Sequence, residues 1–443
     1  MRRIHFDSVK GLTLGASAVL IALLFVTASR PLGGMAGAPS AVQDNRAPGN
    51  FYLRDGDRVV FYGDSITDQR LYTTFVETYV VTRFPRLKVS FVHSGWGGDR
   101  VTGGGGGPID VRLRRDVIAY KPSVMTIMLG MNDASYRAYD AQIFNTYAEG
   151  YRHIVSTVKS ALPGIRITLI QPSPFDDVTR PPQFEGGYNA VLVRYGEFVK
   201  QLGEREGFAV ADMNAPVVAA LGKASAADAD RAQKIVPDRV HPGPGGHLLM
   251  AEALLKAWHA PATVSAVEID AASKRVVQAE NTSVTGLDDN ANGVVWTETD
   301  NALPMPVNLN DTVVALAVRS SDFVEALDRD ELKVTGLSAP RYALKIDGEE
   351  LGAFSKLQLE KGINLAVLPT PMAKQAMAVH ELTLKHNNVH FARWRDVEVP
   401  LETDPSSRKQ AAIDALDRLE SDLIAEQRAA VQPKPRRYQL TPQ

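Results

Sequence analysis

The sequence predicts a parallel α/β sheet covered by helices on both faces, followed by a β-rich segment and a terminal helix. Between residues 57 and 260, short apolar, β-branched runs alternate with longer amphipathic stretches, the pattern of strands linked by helical crossovers. After residue 262 the texture changes to short runs separated by turn signals such as Asp288-Asp289-Asn290 and Asp347-Gly348. The length of 443 residues sets an expectation of two or three domains and leaves room for a large core.

Taken in order, the chain opens with Arg2, Arg3 and Lys10 around an apolar run from Leu12 to Ala28, the pattern of a secretory signal. Small-residue cleavage sites end at Ala28 and at Ala38. Residues 1–38 are therefore expected to be a signal peptide or, if uncleaved, an anchor through residues 12–28. At about 17 residues the run is at the short edge of a membrane span. The expected destination is the periplasm or the extracellular space, with membrane contact only if the segment is retained. Residues 39–56, largely Gly, Pro, Ala and Ser at first, are expected to link it to the core.

Within 57–260 the expected strands are 58–62, 88–93, 123–129, 166–171 and 208–212. Helical patterns lie near 71–84, 109–120, 141–161, 188–207 and 245–258. Sheets of this kind bind ligands outside the carboxyl ends of their strands, which directs attention to the residues just after each run. Within 262–400 the expected strands are 275–278, 293–297, 312–318, 342–346 and 397–399, with a helix as the alternative over 372–384. Residues 401–443 read as a helical tail. Ile413, Leu416, Leu419, Leu423 and Ile424 recur there at helical spacing before Pro433 and Pro435.

Composition narrows the chemistry. The 49 Lys and Arg balance 51 Asp and Glu, so no global charge excess points to nucleic acid. The chain has no cysteine, which removes disulfides, thiolate metal sites and a cysteine nucleophile.

The first strand ends in Gly63-Asp64-Ser65, placing a hydroxyl at the start of a helix. A serine there is either aimed into the crevice or an ordinary helix cap. The second runs into Gly95-Trp96-Gly97-Gly98, whose glycines leave a backbone N–H unobstructed. The third ends in Gly130-Met131-Asn132-Asp133, which presents a side-chain amide at the same height. Asp238-Arg239-Val240-His241 precedes the last helix, and a carboxylate three residues before a histidine can hold one imidazole nitrogen while the other serves serine. Together these residues supply a nucleophile, a base, its orienter and oxyanion donors.

These four blocks, in this order over about 200 residues, resemble the SGNH (GDSL) hydrolase family of esterases and lipases. The resemblance implies a flavodoxin-like three-layer α/β/α fold, with Ser65 as nucleophile, His241 as general base and Asp238 as its partner. It implies an oxyanion hole made by the N–H groups of Ser65 and Gly98 and the Asn132 side chain, without cofactor or metal. His93 stands where the second block usually carries asparagine, which puts the local hydrogen bonding in question. The C-terminal third lies outside the resemblance.

The expected function is an exported serine esterase that hydrolyses a small-molecule or glycan carboxylic ester through an acyl-enzyme, as a deacetylase of extracellular glycans or a short-chain acyl esterase, with a lysophospholipase-like lipase as an alternative. A catalytically silent envelope or carbohydrate-binding protein on the same fold is the other alternative. The run of five glycines at 103–107 reads as a loop at the mouth of the crevice, since it lacks the ending of a phosphate-binding loop. Trp96 reads equally as a stacking platform or as wall packing, and His247 reads as part of the last helix's first turn. Pro172, Pro174, Phe175, Pro181, Pro182, Tyr188 and Arg194 are given no role.

Overall fold

The computed structural model describes residues 50–290 and 293–443. The expected signal or anchor at 1–38 and most of the linker lie outside the described residues. Five strands form the first sheet: β1 (Arg58–Gly63), β2 (Ser90–Gly95), β3 (Val124–Met128), β4 (Arg166–Gln171) and β5 (Ala209–Asp212). Their order is β2-β1-β3-β4-β5, and every pairing is parallel. Strands buried on both faces need continuous apolar runs, and Val59, Val60, Phe61 and Tyr62 of β1 are fully enclosed.

The helices Leu71–Arg83, Ile109–Asp116, Ala141–Ala161, Gly187–Glu206 and Pro244–Ala257 fall where the amphipathic pattern predicted them. A further helix, Ala215–Ala227, had no clear period, because its alanines satisfy any face. The strand order reverses between β1 and β3, so the crevice at their carboxyl ends is the natural ligand site.

The C-terminal part holds two more sheets. One has five strands in the order Thr282–Asn290, Gly293–Asp300, Arg436–Pro442, Arg341–Ile346, Glu349–Ser355, all antiparallel. The other has four: Ile363–Asn364, Arg329–Thr335, Thr263–Asp270, Arg275–Glu280. Their shared core, around Val267, Trp296, Leu332, Leu344 and Leu440, also takes in Val81 from the helix Leu71–Arg83. In return, Met305, Val314, Leu316 and Phe323 join the core of the first sheet. The described residues form one compact unit.

Two expected strands are corrected. Residues 312–318 belong to the helix Thr312–Arg319, whose β-branched residues are overridden by an Asp311 cap accepting the N–H groups of Val313 and Val314 at 2.8 and 3.2 Å. This helix packs on Pro244–Ala257 at Gly245, where a Cβ would stand only 3.1 Å from the Ala317 methyl. Residues 397–399 lie at the end of a wide helical turn, Ala392–Glu398, that prolongs the helix Pro371–Phe391. Trp394 anchors that turn, its indole N–H donating to Asp116 Oδ1 at 2.7 Å.

The terminal helix is Ser407–Ala430, but the chain continues beyond Pro433 and Pro435 into a central strand of the five-stranded sheet. There Tyr438 stacks on Trp296 at 5.1 Å.

Candidate active site

At the end of β1 the helix Ser65–Asp68 is capped by Asp64, whose Oδ1 accepts the Ile66 N–H at 3.0 Å. The capping role suggested for Ser65 is thus taken by its neighbour, and the Ser65 hydroxyl is free to face outward. Burial pushes the Asp64 carboxyl up to about 7. The turn is tight: a Cβ on Gly95 would stand 2.2 Å from the Asp68 nitrogen.

Ser65 Oγ lies 2.8 Å from His241 Nε2, and His241 Nδ1 lies 2.7 Å from Asp238 Oδ2. Asp238 Oδ1 accepts the backbone N–H groups of Val240 and His241 at 3.0 and 2.7 Å. Partial burial would raise this carboxyl, but those N–H groups and the imidazole hold it below the usual range. Nδ1–H therefore donates to the carboxylate, leaving Nε2 to accept from the serine hydroxyl.

The turn carrying Asp238 and His241 is held from outside. Arg239 adopts a positive φ of 72°, and its guanidinium donates to the carbonyls of Asp176 and Pro181 at 3.2 and 3.0 Å. Arg180 in turn donates to the carbonyls of Gln233 and Pro237, both at 2.9 Å. The loop after β4, given no role from sequence, thus braces the histidine loop.

Gly98 has a φ of +78°, open only to glycine without strain, and no heavy atom lies within 4 Å of the position a Cβ would take. Asn132 Nδ2 donates to the carbonyl of the next residue, Asp99, at 3.1 Å, which ties the β3 turn to the Gly98 loop. Tyr136, unmarked by any sequence signal, donates its hydroxyl to Asn132 Oδ1 at 3.0 Å and so fixes which way the amide points. Ser135 and Tyr136 both have positive φ values, 59° and 53°. Such backbone is costly for non-glycine residues and persists only where packing dictates it. Here Tyr136 stacks on Tyr188 at 5.0 Å.

The remaining signals resolve structurally. His93 accepts from Thr73 Oγ1 at 2.7 Å and donates to Glu77 Oε2 at 3.3 Å, so it belongs to a buried network beneath the sheet. His247 bonds Gln69 Oε1 at 2.9 Å, and burial holds its imidazole down at about 3, hence neutral. Trp96 is wall: the Arg395 guanidinium lies 3.2 Å from its ring centroid. The glycines at 103–107 form a small hairpin, where a Cβ on Gly106 would stand 2.6 Å from Trp96 and from Arg112.

Residues 61–249 match the GDSL-like Lipase/Acylhydrolase family. An acetylxylan esterase of Geobacillus stearothermophilus is 27% identical over 226 residues, covering 46% of this chain and 94% of that protein. Over a wider span, the chain is similar to the solved structure of a gut microbial diltiazem-metabolizing enzyme. The TM-score is 0.74 at 26% identity, covering 89% of this chain and 100% of the other. Most of the C-terminal part is therefore shared with that neighbour. Residues 61–249 therefore form a domain of the GDSL-like lipase/acylhydrolase kind, and the chain is a hydrolase of ester bonds.

Proposed function

We propose that the protein is an exported serine esterase that removes acyl groups, acetyl foremost, from a glycan or small-molecule alcohol through an acyl-enzyme on Ser65. The observation that carries this reading is the unbroken line of hydrogen bonds from Ser65 through His241 to Asp238, 2.8 and 2.7 Å long. A serine hydroxyl is a weak nucleophile at neutral pH and needs a base at this range.

In the proposed cycle Ser65 Oγ attacks the ester carbonyl while its proton passes to His241 Nε2. The carbonyl oxygen takes up negative charge facing the N–H groups of Ser65 and Gly98 and the Asn132 amide. As the carbon–oxygen bond to the alcohol breaks, His241 returns the proton to the leaving alcohol. Water then gives a proton to His241 and attacks the acyl-enzyme, and the carboxylic acid leaves as Ser65 recovers its proton. Asp238 stays ionised throughout and steadies the imidazolium.

The preference for acetyl groups is supported by the acetylxylan esterase relative. Export is supported by the sequence of residues 1–38. A fluorophosphonate probe tests the central claim, because only an activated serine reacts; labelling at Ser65 is expected, and an unlabelled wild-type protein overturns it. A panel of short-chain aryl esters, long-chain esters, acetylated xylan and diltiazem tests the substrate class. Turnover of long-chain esters alone would end the acetyl preference. N-terminal sequencing of the protein recovered outside the cytoplasm tests export.

A further inference from the structure

We infer that Arg395, from the C-terminal part of the chain, is a positioning residue that holds the Trp96-Gly97-Gly98 loop in register for the oxyanion. This rests on the reading of Ser65 and Gly98 given above.

The Gly97 N–H donates to Asp68 Oδ2 at 3.1 Å, which fixes the Trp96–Gly97 peptide, the neighbour of the peptide that carries the Gly98 N–H. The Arg395 guanidinium lies 3.7 Å from that same oxygen and is stacked on the Trp96 ring. It therefore presses on the residue before Gly97 and on the acceptor of the Gly97 N–H together. Arginine suits both contacts, because its planar group stacks on an indole while keeping its charge toward a carboxylate. Burial raises the Asp68 carboxyl, and the Arg395 charge opposes that rise.

Neither group is saturated. Arg395 Nη1 and Asp68 Oδ1 are buried without a hydrogen-bond partner. Removing Arg395 leaves the half-buried Asp68 carboxylate without its counter-charge, so a stability cost is expected beside the effect on turnover and the two are read separately. The neighbouring Trp394 indole reaches Asp116, whose carbonyl accepts from Ser94 Oγ at 2.7 Å. Trp394 also stands edge-on to the Trp96 ring at 5.6 Å, so the wide turn Ala392–Glu398 meets Trp96 through two of its residues, and wide turns of this kind are frequent at functional sites.

The test compares wild type, Arg395→Ala and Arg395→Lys on a short-chain aryl ester and its thiono counterpart. Sulfur accepts hydrogen bonds poorly, so the ester-to-thionoester rate ratio reports oxyanion donors. In Arg395→Ala, kcat should fall about tenfold or more with KM within about twofold, and the ratio should narrow, because small misplacements of catalytic groups are costly in rate. Arg395→Lys, which keeps the charge without the flat stack, should fall between the two and narrow the ratio in part. If Arg395→Ala shows no cooperative unfolding transition, the lysine variant carries the test alone. An unchanged ratio in a folded variant, or an effect confined to KM, overturns the proposal. A wild type that is not labelled at Ser65 overturns the underlying site instead, so the two failures are separable.

Discussion

Ser65 Oγ and His241 Nε2 stand 2.8 Å apart although 176 residues separate them along the chain. Serine arrives at the end of β1 and histidine just before the last crossover helix, so only the assembled sheet brings proton-transfer distance about. Replacing Ser65 with alanine should lower ester turnover by about five to six powers of ten. The thermal midpoint should hardly move, since the cap of that helix is Asp64. Retained turnover in a folded Ser65→Ala protein would contradict the proposed mechanism.

Asn132 and Tyr136 form a matched pair of expectations. Asn132→Ala should cost about 10² to 10³ in kcat, with KM moving by less than about threefold, as expected for a donor engaged chiefly in the transition state. Tyr136→Phe removes the 3.0 Å bond that orients the amide and should cost a smaller factor, about three to ten, on kcat. Steady-state kinetics on one ester checks both. A KM effect alone at Asn132 would make it a ground-state contact.

Gly95→Ala should be severe. Its Cβ would meet the Asp68 nitrogen at 2.2 Å and the Thr67 carbonyl carbon at 2.4 Å, both backbone atoms that no rotamer change relieves. The helix carrying Ser65 must shift, so turnover should fall at least about a hundredfold. The thermal midpoint should fall as well. A fully active Gly95→Ala enzyme would show the turn to be looser than described.

The interface between the first sheet's helix Leu71–Arg83 and the C-terminal helices should be sensitive to alkali. His386 donates to Glu77 at 2.6 Å; burial alone would lower its pKa, but the facing Glu77 charge raises it from 6.5 to about 9. Glu420, next to His386 and His390, would be raised by burial but is held at about 2 by those imidazoles. A histidine raised on folding contributes its full share below about pH 6.5 and loses it as pH rises through about 9. The thermal midpoint of His386→Gln should therefore trail wild type clearly at pH 6 and approach it by pH 9.5. A deficit independent of pH would count against the charge pair.

His93 shows how far the linear pattern reaches. Its departure from the usual asparagine was visible, and the reason was not. The ring is bonded to Thr73 and Glu77, and Glu77 in turn binds His386, 309 residues downstream in sequence. The terminal helix makes the same point. Its apolar spacing was legible, yet Leu419 is 47% exposed while Gln427 is buried against Glu77 and Thr383. The helix docks in part through polar groups, which carry no periodic signature. Over residues 312–318 the β-branched residues favour a strand locally, whereas one aspartate cap and a glycine contact decide for helix.

The sequence by itself determined the order of the five parallel strands' runs, their crossovers, and the blocks holding Ser65, Gly98, Asn132, Asp238 and His241. Each of these is written in residues adjacent along the chain: apolar runs, turn glycines, a carboxylate three positions before a histidine. Only the tertiary structure decided that Asp64 and not Ser65 caps the helix, that Tyr136 orients Asn132, and that Arg395 lies against Trp96 and Asp68. Those relationships depend on the directions of side chains from segments up to 327 residues apart. Directions in space are set by packing, which leaves no regular spacing in the chain to be read.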